Sequence, residues 1–150
     1  MIVNDGLTIT MDIKKRILLF LSAKAFGVAG ASTNREKYGN KVLRCYLQHD
    51  RKAIPVNPRG KIIEGIPCVA SVNELPAEVG ALSIITPPKI TERIVEEAIA
   101  CGIGNLWMQP GAESPRAVAL AQEAGINVIA DGSCLLVVLG FREECNSDYH

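Results

Sequence analysis

Histidine is scarce in this sequence, with two in 150 residues, and the five cysteines are odd in number, widely spaced and without a CxxC pair. A structural metal site needs about four such donors brought together, so none is expected. Nor do Cys45, Cys68, Cys101, Cys134 and Cys145 read as a disulfide framework; they point to reduced thiols in a cytoplasmic protein. Net charge is missing too, since Lys+Arg and Asp+Glu both number 16. Without a basic stripe there is no electrostatic footprint for a duplex or an anionic bilayer, so nucleic acid and membrane are not expected as partners. Long apolar runs are absent: Ile17 to Leu21 and Leu135 to Leu139 fall far short of the ~20 residues of a membrane span. The first of these runs, flanked by Lys14-Lys15-Arg16 and Ser22-Ala23-Lys24-Ala25, imitates a secretion signal. It is shorter than the roughly 7 to 15 apolar residues such a signal needs, and Lys24 interrupts the would-be cleavage site. Ile13, Ile17, Phe20, Leu21 and Lys24 instead fall at helical spacing, which predicts an amphipathic helix over about 12–23.

What is present is enough apolar material, 48% of 150 residues, for one compact domain. Its core is expected over about 17–134, with Met1 to Thr10 an ambiguous leader and Arg142 to His150 a polar, mobile tail. Apolar runs at Phe26 to Gly30, Ala53 to Asn57, Ala81 to Thr86, Asn105 to Gln109 and Asn127 to Ala130 read as strands. Helical patterns lie between them: Tyr38 to His49, a stretch opened by Thr86-Pro87-Pro88 and closed by Gly102, and another opened by Ser114-Pro115 and closed by Gly125. Between the second and third strands, Ile62 to Cys68 reads as a small excursion and Ser71 to Leu75 as a single helical turn. Strands alternating with helices through short loops imply an α/β fold with a doubly wound parallel sheet, five strands in the order 3-2-1-4-5, and an N-terminal helix.

In such a sheet ligands bind at the carboxyl ends of the strands. That rule nominates Gly30 to Lys37, Asn57 to Lys61, Thr86 to Lys89, Gln109 to Glu113 and Asp131 to Cys134. Gly30, Ala31 and Ser32 are small enough for backbone N–H groups to approach a phosphate, and Lys37 stands where an ammonium reaches the same anion. A dinucleotide enzyme using an unphosphorylated ribose places an acid at the end of the second strand. Here that position reads Val56-Asn57-Pro58-Arg59, and Arg59 with Lys61 suits a phosphorylated ribose instead. NADP and coenzyme A both meet that requirement.

The segments Phe26 to Ser32, Lys37 to Asn40, Pro55 to Pro58, Gly65 to Cys68, Pro87-Pro88, Trp107 to Gly111 and Ala124 to Ile126 recur, in this order and spacing, in a known family. They resemble the stand-alone coenzyme A-binding domain proteins, which are similar to the amino-terminal domain of the succinyl-CoA synthetase alpha subunit. The resemblance covers about 17–134 and implies a Rossmann-like domain holding coenzyme A by its adenosine and pyrophosphate. Carried over, Gly30, Ala31 and Ser32 line the pyrophosphate, Lys37 neutralises phosphate, and Asn57 and Pro58 border the adenine-ribose end. Thr86, Pro87 and Pro88 shape the path of the pantetheine arm, and Gln109, Pro110 and Gly111 close the far wall. One departure is Asp131-Gly132-Ser133-Cys134, where many relatives read Asp-Arg-Cys.

Catalytic signals are thin. His49 lies near a helix end and His150 at the terminus, Ser133 has no evident base, and Glu113 and Asp131 are single loop carboxylates. Cys134 is the one thiol expected at the ligand edge. The reading is therefore a coenzyme A or acyl-CoA binding protein without evident catalytic machinery. The alternatives are an NADP-binding oxidoreductase, for which no proton donor stands at a catalytic spacing, and a partner-dependent subunit of a CoA ligase-type complex. The apolar edge around Leu135 to Phe141 offers a face for a homodimer or a partner protein.

Overall fold

The computed structural model describes residues 12–143; the expected leader and the tail from 144 onward lie outside the described residues. Helix α1, Ile13–Leu21, starts at Asp12, whose carboxylate accepts from the Lys14 amide at 2.9 Å and so satisfies one of the first-turn donors. It leads into β1, Ala25–Ala29, every residue of which is buried. Helix α2, Tyr38–Gln48, and β2, Ala53–Val56, follow. The excursion is a minimal antiparallel hairpin of β3, Ile62–Ile63, and β4, Ile66–Pro67. Its two turn residues, Glu64 and Gly65, have φ of 51° and 80°, the positive values that a two-residue hairpin demands.

A 3-10 turn, Val72–Glu74, precedes β5, Val79–Ile84; then come α3, Pro88–Cys101, β6, Asn105–Met108, α4, Pro115–Glu123, and β7, Asn127–Ile129. A π-helical turn, Leu136–Gly140, completes the described chain. Ser114 caps α4 as expected, its hydroxyl accepting from the Ala117 amide at 3.0 Å. The start of α3 differs from expectation. Pro87 holds the cap position without a side-chain bond, and the Thr86 hydroxyl is engaged with the Thr91 hydroxyl at 2.7 Å.

The main sheet is parallel and doubly wound, in the order β2-β1-β5-β6-β7. Counting only these five strands the order is 2-1-3-4-5, which corrects the expected 3-2-1-4-5. The reason is at the outer rim of β2, where Val69 rather than another strand of the sheet takes the hydrogen bonds: its amide donates to the Pro55 carbonyl at 3.0 Å and its carbonyl accepts from the Asn57 amide at 2.9 Å. Pro55 has no N–H to offer a neighbour, so β2 belongs at an edge. The chain therefore crosses back over β1, and β5 pairs with β1 on its other side, Phe26 opposite Ala81 and Ala29 opposite Ile84.

Strand order thus reverses between β1 and β5. Apolar layers fill both faces. On one, Leu82, Ile84, Leu106 and Met108 meet Val95 and Ala98 of α3 and Ala117 and Ala121 of α4. On the other, Phe20 of α1, Leu43 and Tyr46 of α2 and Leu135 pack on Phe26, Val28 and Trp107. The Phe20 ring meets Trp107 edge-on at 5.2 Å and Phe26 stacks on Tyr46 at 4.6 Å, both favoured geometries. The polar tips are also satisfied: Trp107 Nε1 donates to the Ser133 carbonyl at 2.9 Å, and the Tyr46 hydroxyl pairs with Ser83 at 2.6 Å.

Two glycines join β1 to α2. Gly30 turns the chain at φ +94°, and the first turn of α2 comes so close that a Cβ on Gly39 would stand 1.9 Å from the Gly30 carbonyl oxygen. A Gly→Ala change inside a helix ordinarily gains up to ~1 kcal/mol. Gly39→Ala is expected to reverse that sign and destabilise by about 2 kcal/mol or more, because the obstacle is backbone; urea unfolding measures it, and a neutral or stabilising result would remove the joint from the account.

Burial sets the alkaline limit. It pushes the Cys45 thiol up from 9.0 to about 11, with the nearby Cys134 adding to the rise, and it raises the Tyr46 phenol further still. Both groups hold their protons in the fold at pH values where the unfolded chain has lost them, so stability falls from about pH 9 upward. Tyr46→Phe should cost about 1–2 kcal/mol at neutral pH by stranding Ser83, and it should flatten the decline above pH 10. Denaturant midpoints between pH 7 and 11 read both effects, and an unchanged alkaline slope contradicts the assignment.

Candidate functional site

Where strand order reverses, the loops at the carboxyl ends of β1 and β5 part and leave a cleft of about 830 Å³. That lies within the roughly 300–1,000 Å³ of small-molecule sites. Of the residues singled out from the sequence, Gly30, Ala31, Ser32, Lys37, Asn57, Pro58 and Thr86 line it together.

The loop after β1 is held by asparagines. Asn57 donates to the Ala31 carbonyl at 3.0 Å, and the fully buried Asn40 donates to the Ser32 carbonyl at 2.9 Å. In a planar trans peptide the oxygen and the next residue's N–H point opposite ways. The amides of Ser32 and Thr33 are thereby turned away from the two asparagines. The other ends of these carboxamides are occupied too: Asn57 Oδ1 accepts from the Arg59 amide at 2.8 Å, and Asn40 Oδ1 from Arg44 Nε at 2.7 Å.

The polar loop beyond Ser32 is closed by short local bonds, Asn34 N to Ser32 Oγ and Glu36 N to Asn34 Oδ1, both 3.0 Å. From above, the β3–β4 hairpin fastens it: Glu64 accepts from Asn40 at 3.0 Å and from Arg35 at 2.6 Å. Arg35 is half exposed, so that ion pair contributes little in water. The buried Asn40 amide is the stronger tie, since stranding it would carry a full desolvation penalty. Lys37 occupies the cap position of α2 without a side-chain cap bond. The first amides of that helix have no partner within it, and the positive end of its dipole faces the same opening. The small-residue loop, the helix terminus and Lys37 thus line one cleft, and these are the elements from which anion sites are built.

Other expected site residues stand elsewhere. Arg59 is exposed and outside the lining, carried past the rim by the tight turn in which the Gly60 amide donates to the Asn57 carbonyl. Pro87, Pro88, Pro110 and Gly111 are exposed and also outside it. Gln109 is buried and its amide is spent on the chain after β7: Oε1 accepts from the Leu135 amide at 2.8 Å and Nε2 donates to Cys134 Sγ at 3.3 Å. Glu113 accepts from the Gly111 amide and Asp131 from the Ser133 amide, both closing their own turns. His49 ends α2 against the Gly140 carbonyl at 2.9 Å. No group of three or more His, Cys, Asp and Glu able to hold a metal occurs among the described residues.

Sequence reasoning missed one whole wall. Ala70, Ser71 and Val72 enter the cleft because Val69 is pinned to the rim of β2, and Ile90, Arg93, Ile94 and Glu97 of α3 face them. Ile90 and Ile94 do fall at core spacing, but the core ends before it reaches their outer side. Among the described residues no helix is long and apolar enough to cross a membrane.

A family model described as a CoA binding domain matches residues 24–139. The ADP-forming acetate–CoA ligase II alpha subunit of Pyrococcus furiosus is 26% identical over an alignment of 121 residues that covers 73% of this chain and 26% of that protein. The ADP-forming acetate–CoA ligase I of Archaeoglobus fulgidus is 34% identical over 79 residues, which are 53% of this chain and 11% of that one. The chain thus spans about a quarter and about a tenth of these two relatives. Among solved structures, a conserved hypothetical protein from Pyrococcus furiosus superposes with a TM-score of 0.72 at 38% identity, covering 77% of this chain and 98% of that one. A protein from Thermus thermophilus does so with a TM-score of 0.77 at 30% identity, covering 85% and 96%. Since the match of 24–139 runs from the residue before β1 into the π-helical turn, the chain belongs to the CoA binding domain family.

Proposed function

We propose that this chain is a coenzyme A binding module that holds the nucleotide end of the molecule at the carboxyl edge of β1 and β5. The observation that carries the reading is the anion seat in a member of this family: the loop Gly30-Ala31-Ser32, the start of α2 and Lys37 converge on one cleft. The pyrophosphate lies on that seat, Asn57 and Pro58 border the adenosine, and the pantetheine arm leaves past Thr86 toward Pro87-Pro88 and Gln109-Pro110-Gly111. NADP, the other phosphorylated-ribose ligand, gains no support from the comparisons. The described lining residues include neither cysteine nor histidine, and the site reads as one for binding and presenting a thiol carrier rather than for attacking it.

A ligand that binds only the folded state at about 100 times its Kd stabilises by ~2.7 kcal/mol. Coenzyme A is therefore expected to raise the melting temperature while NADP leaves it unchanged. Lys37→Glu should weaken coenzyme A binding about tenfold or more, the size of a lost charge-assisted hydrogen bond. Titration calorimetry on the two proteins decides it; coenzyme A without effect on the unaltered chain would overturn the proposal.

The alpha-subunit relative favours a second reading, in which the chain works only with a partner that supplies the rest of a ligase. On that reading the protein alone makes no acetyl-CoA from acetate, ATP and coenzyme A, and turnover by the isolated chain would count against it.

A further inference from the structure

Coenzyme A carries two separate anionic groups, the pyrophosphate and the phosphate on its ribose. The cleft has two cationic side chains, on different walls: Lys37 at the start of α2 and Arg93 in the second turn of α3. We infer that Arg93 recognises the ribose phosphate and so separates coenzyme A from its dephospho form, a role that rests on the coenzyme A reading above.

The charges of α3 are sorted by face. Glu92 accepts from the Ser114 hydroxyl at 2.8 Å and lies 4.0 Å from Arg116, and Glu96 lies 3.5 Å from the same guanidinium, so both acids are turned to α4. Arg93 and Glu97, each one position further along the helix, turn instead to the cleft. Glu97 stands four residues after Arg93, the spacing at which opposite charges pair, yet the two form no ion pair. Among the described residues Arg93 makes no side-chain hydrogen bond or salt bridge at all. It is a cation on the wall of an anion-binding cleft with its five donors uncommitted.

The sequence pointed to Arg59 and Lys61 for this phosphate, but both lie outside the lining and are exposed. The same cleft is lined by Val56, Val72, Ile90 and Ile94, apolar surface on which a purine face can lie. Arg93 is bracketed by Ile90 and Ile94, so a nucleoside resting there brings its ribose to the guanidinium. A planar fork suits a phosphate better than an ammonium does.

Titration calorimetry of the full chain with coenzyme A and with dephospho-coenzyme A tests this. The unaltered protein should bind coenzyme A about five- to tenfold more tightly, a partly exposed charge-assisted contact. Arg93→Gln should erase that preference, with affinity for dephospho-coenzyme A changed less than about twofold, and Arg93→Lys should restore part of it. Thermal melting confirms that each variant is folded, as expected for a solvent-facing helix position. The inference is overturned if Arg93→Gln keeps the preference, if it weakens both ligands alike, or if the preference is lost instead in the Arg59→Gln, Lys61→Gln double variant. Failure of the unaltered protein to bind either ligand would overturn the coenzyme A reading itself, and this inference with it.

Discussion

The carbonyl oxygen of Gly30 occupies the place where a side chain at position 39 would begin. This close approach of α2 to the end of β1 governs the architecture of the site. It sets the helix terminus over the strand terminus, and from that arrangement follow the position of Lys37, the span left for the loop of residues 31–37, and the need for asparagines to absorb its carbonyls. A Cβ at Gly30 would itself meet the Ile85 carbonyl at 2.2 Å, so the same joint also fixes β5 against β1. Three backbone segments meet at the two glycines without side chains between them, and the cleft opens beside that joint.

Much of the fold is legible in the sequence because local chemistry and tertiary demand agree. Ser114-Pro115 and Gly102 end helices where they should, the glycine with φ 79° in its left-handed cap. The strand order differs from the 3-2-1-4-5 expected, although one residue carries the signal. Pro55 cannot donate to a neighbour on its outer side, and an order of 3-2-1-4-5 would have put the second strand inside the sheet. Given weight, that proline would have moved the second strand to the edge and the third beside β1.

The site divides along the same line. Residues that line the cleft within one loop, Gly30, Ala31 and Ser32, are visible as a run of small residues after an apolar strand. Residues that act by reaching across the fold are not: the buried role of Asn40 depends on Glu64, Arg44 and the Ser32 carbonyl, which only the folded chain brings together. Gln109 shows the converse, a polar residue in the right loop whose amide is consumed by packing the chain after β7. Arg93 has the helical period of a solvent-facing residue, and only the pinning of Val69 beside β2 turns its surroundings into a wall.

The Asn57 carboxamide joins the two loops that flank one end of the cleft, its nitrogen on the Ala31 carbonyl and its oxygen on the Arg59 amide. Its consequence is entropic. Loops tied through a single half-buried bridge fluctuate together rather than independently, so a ligand arriving there meets a shape already made. Ordering of backbone, a large cost of association when recognition loops are loose, has been met at folding, and the affinity of the cleft is then set by the contacts the ligand makes rather than by the disorder it must remove.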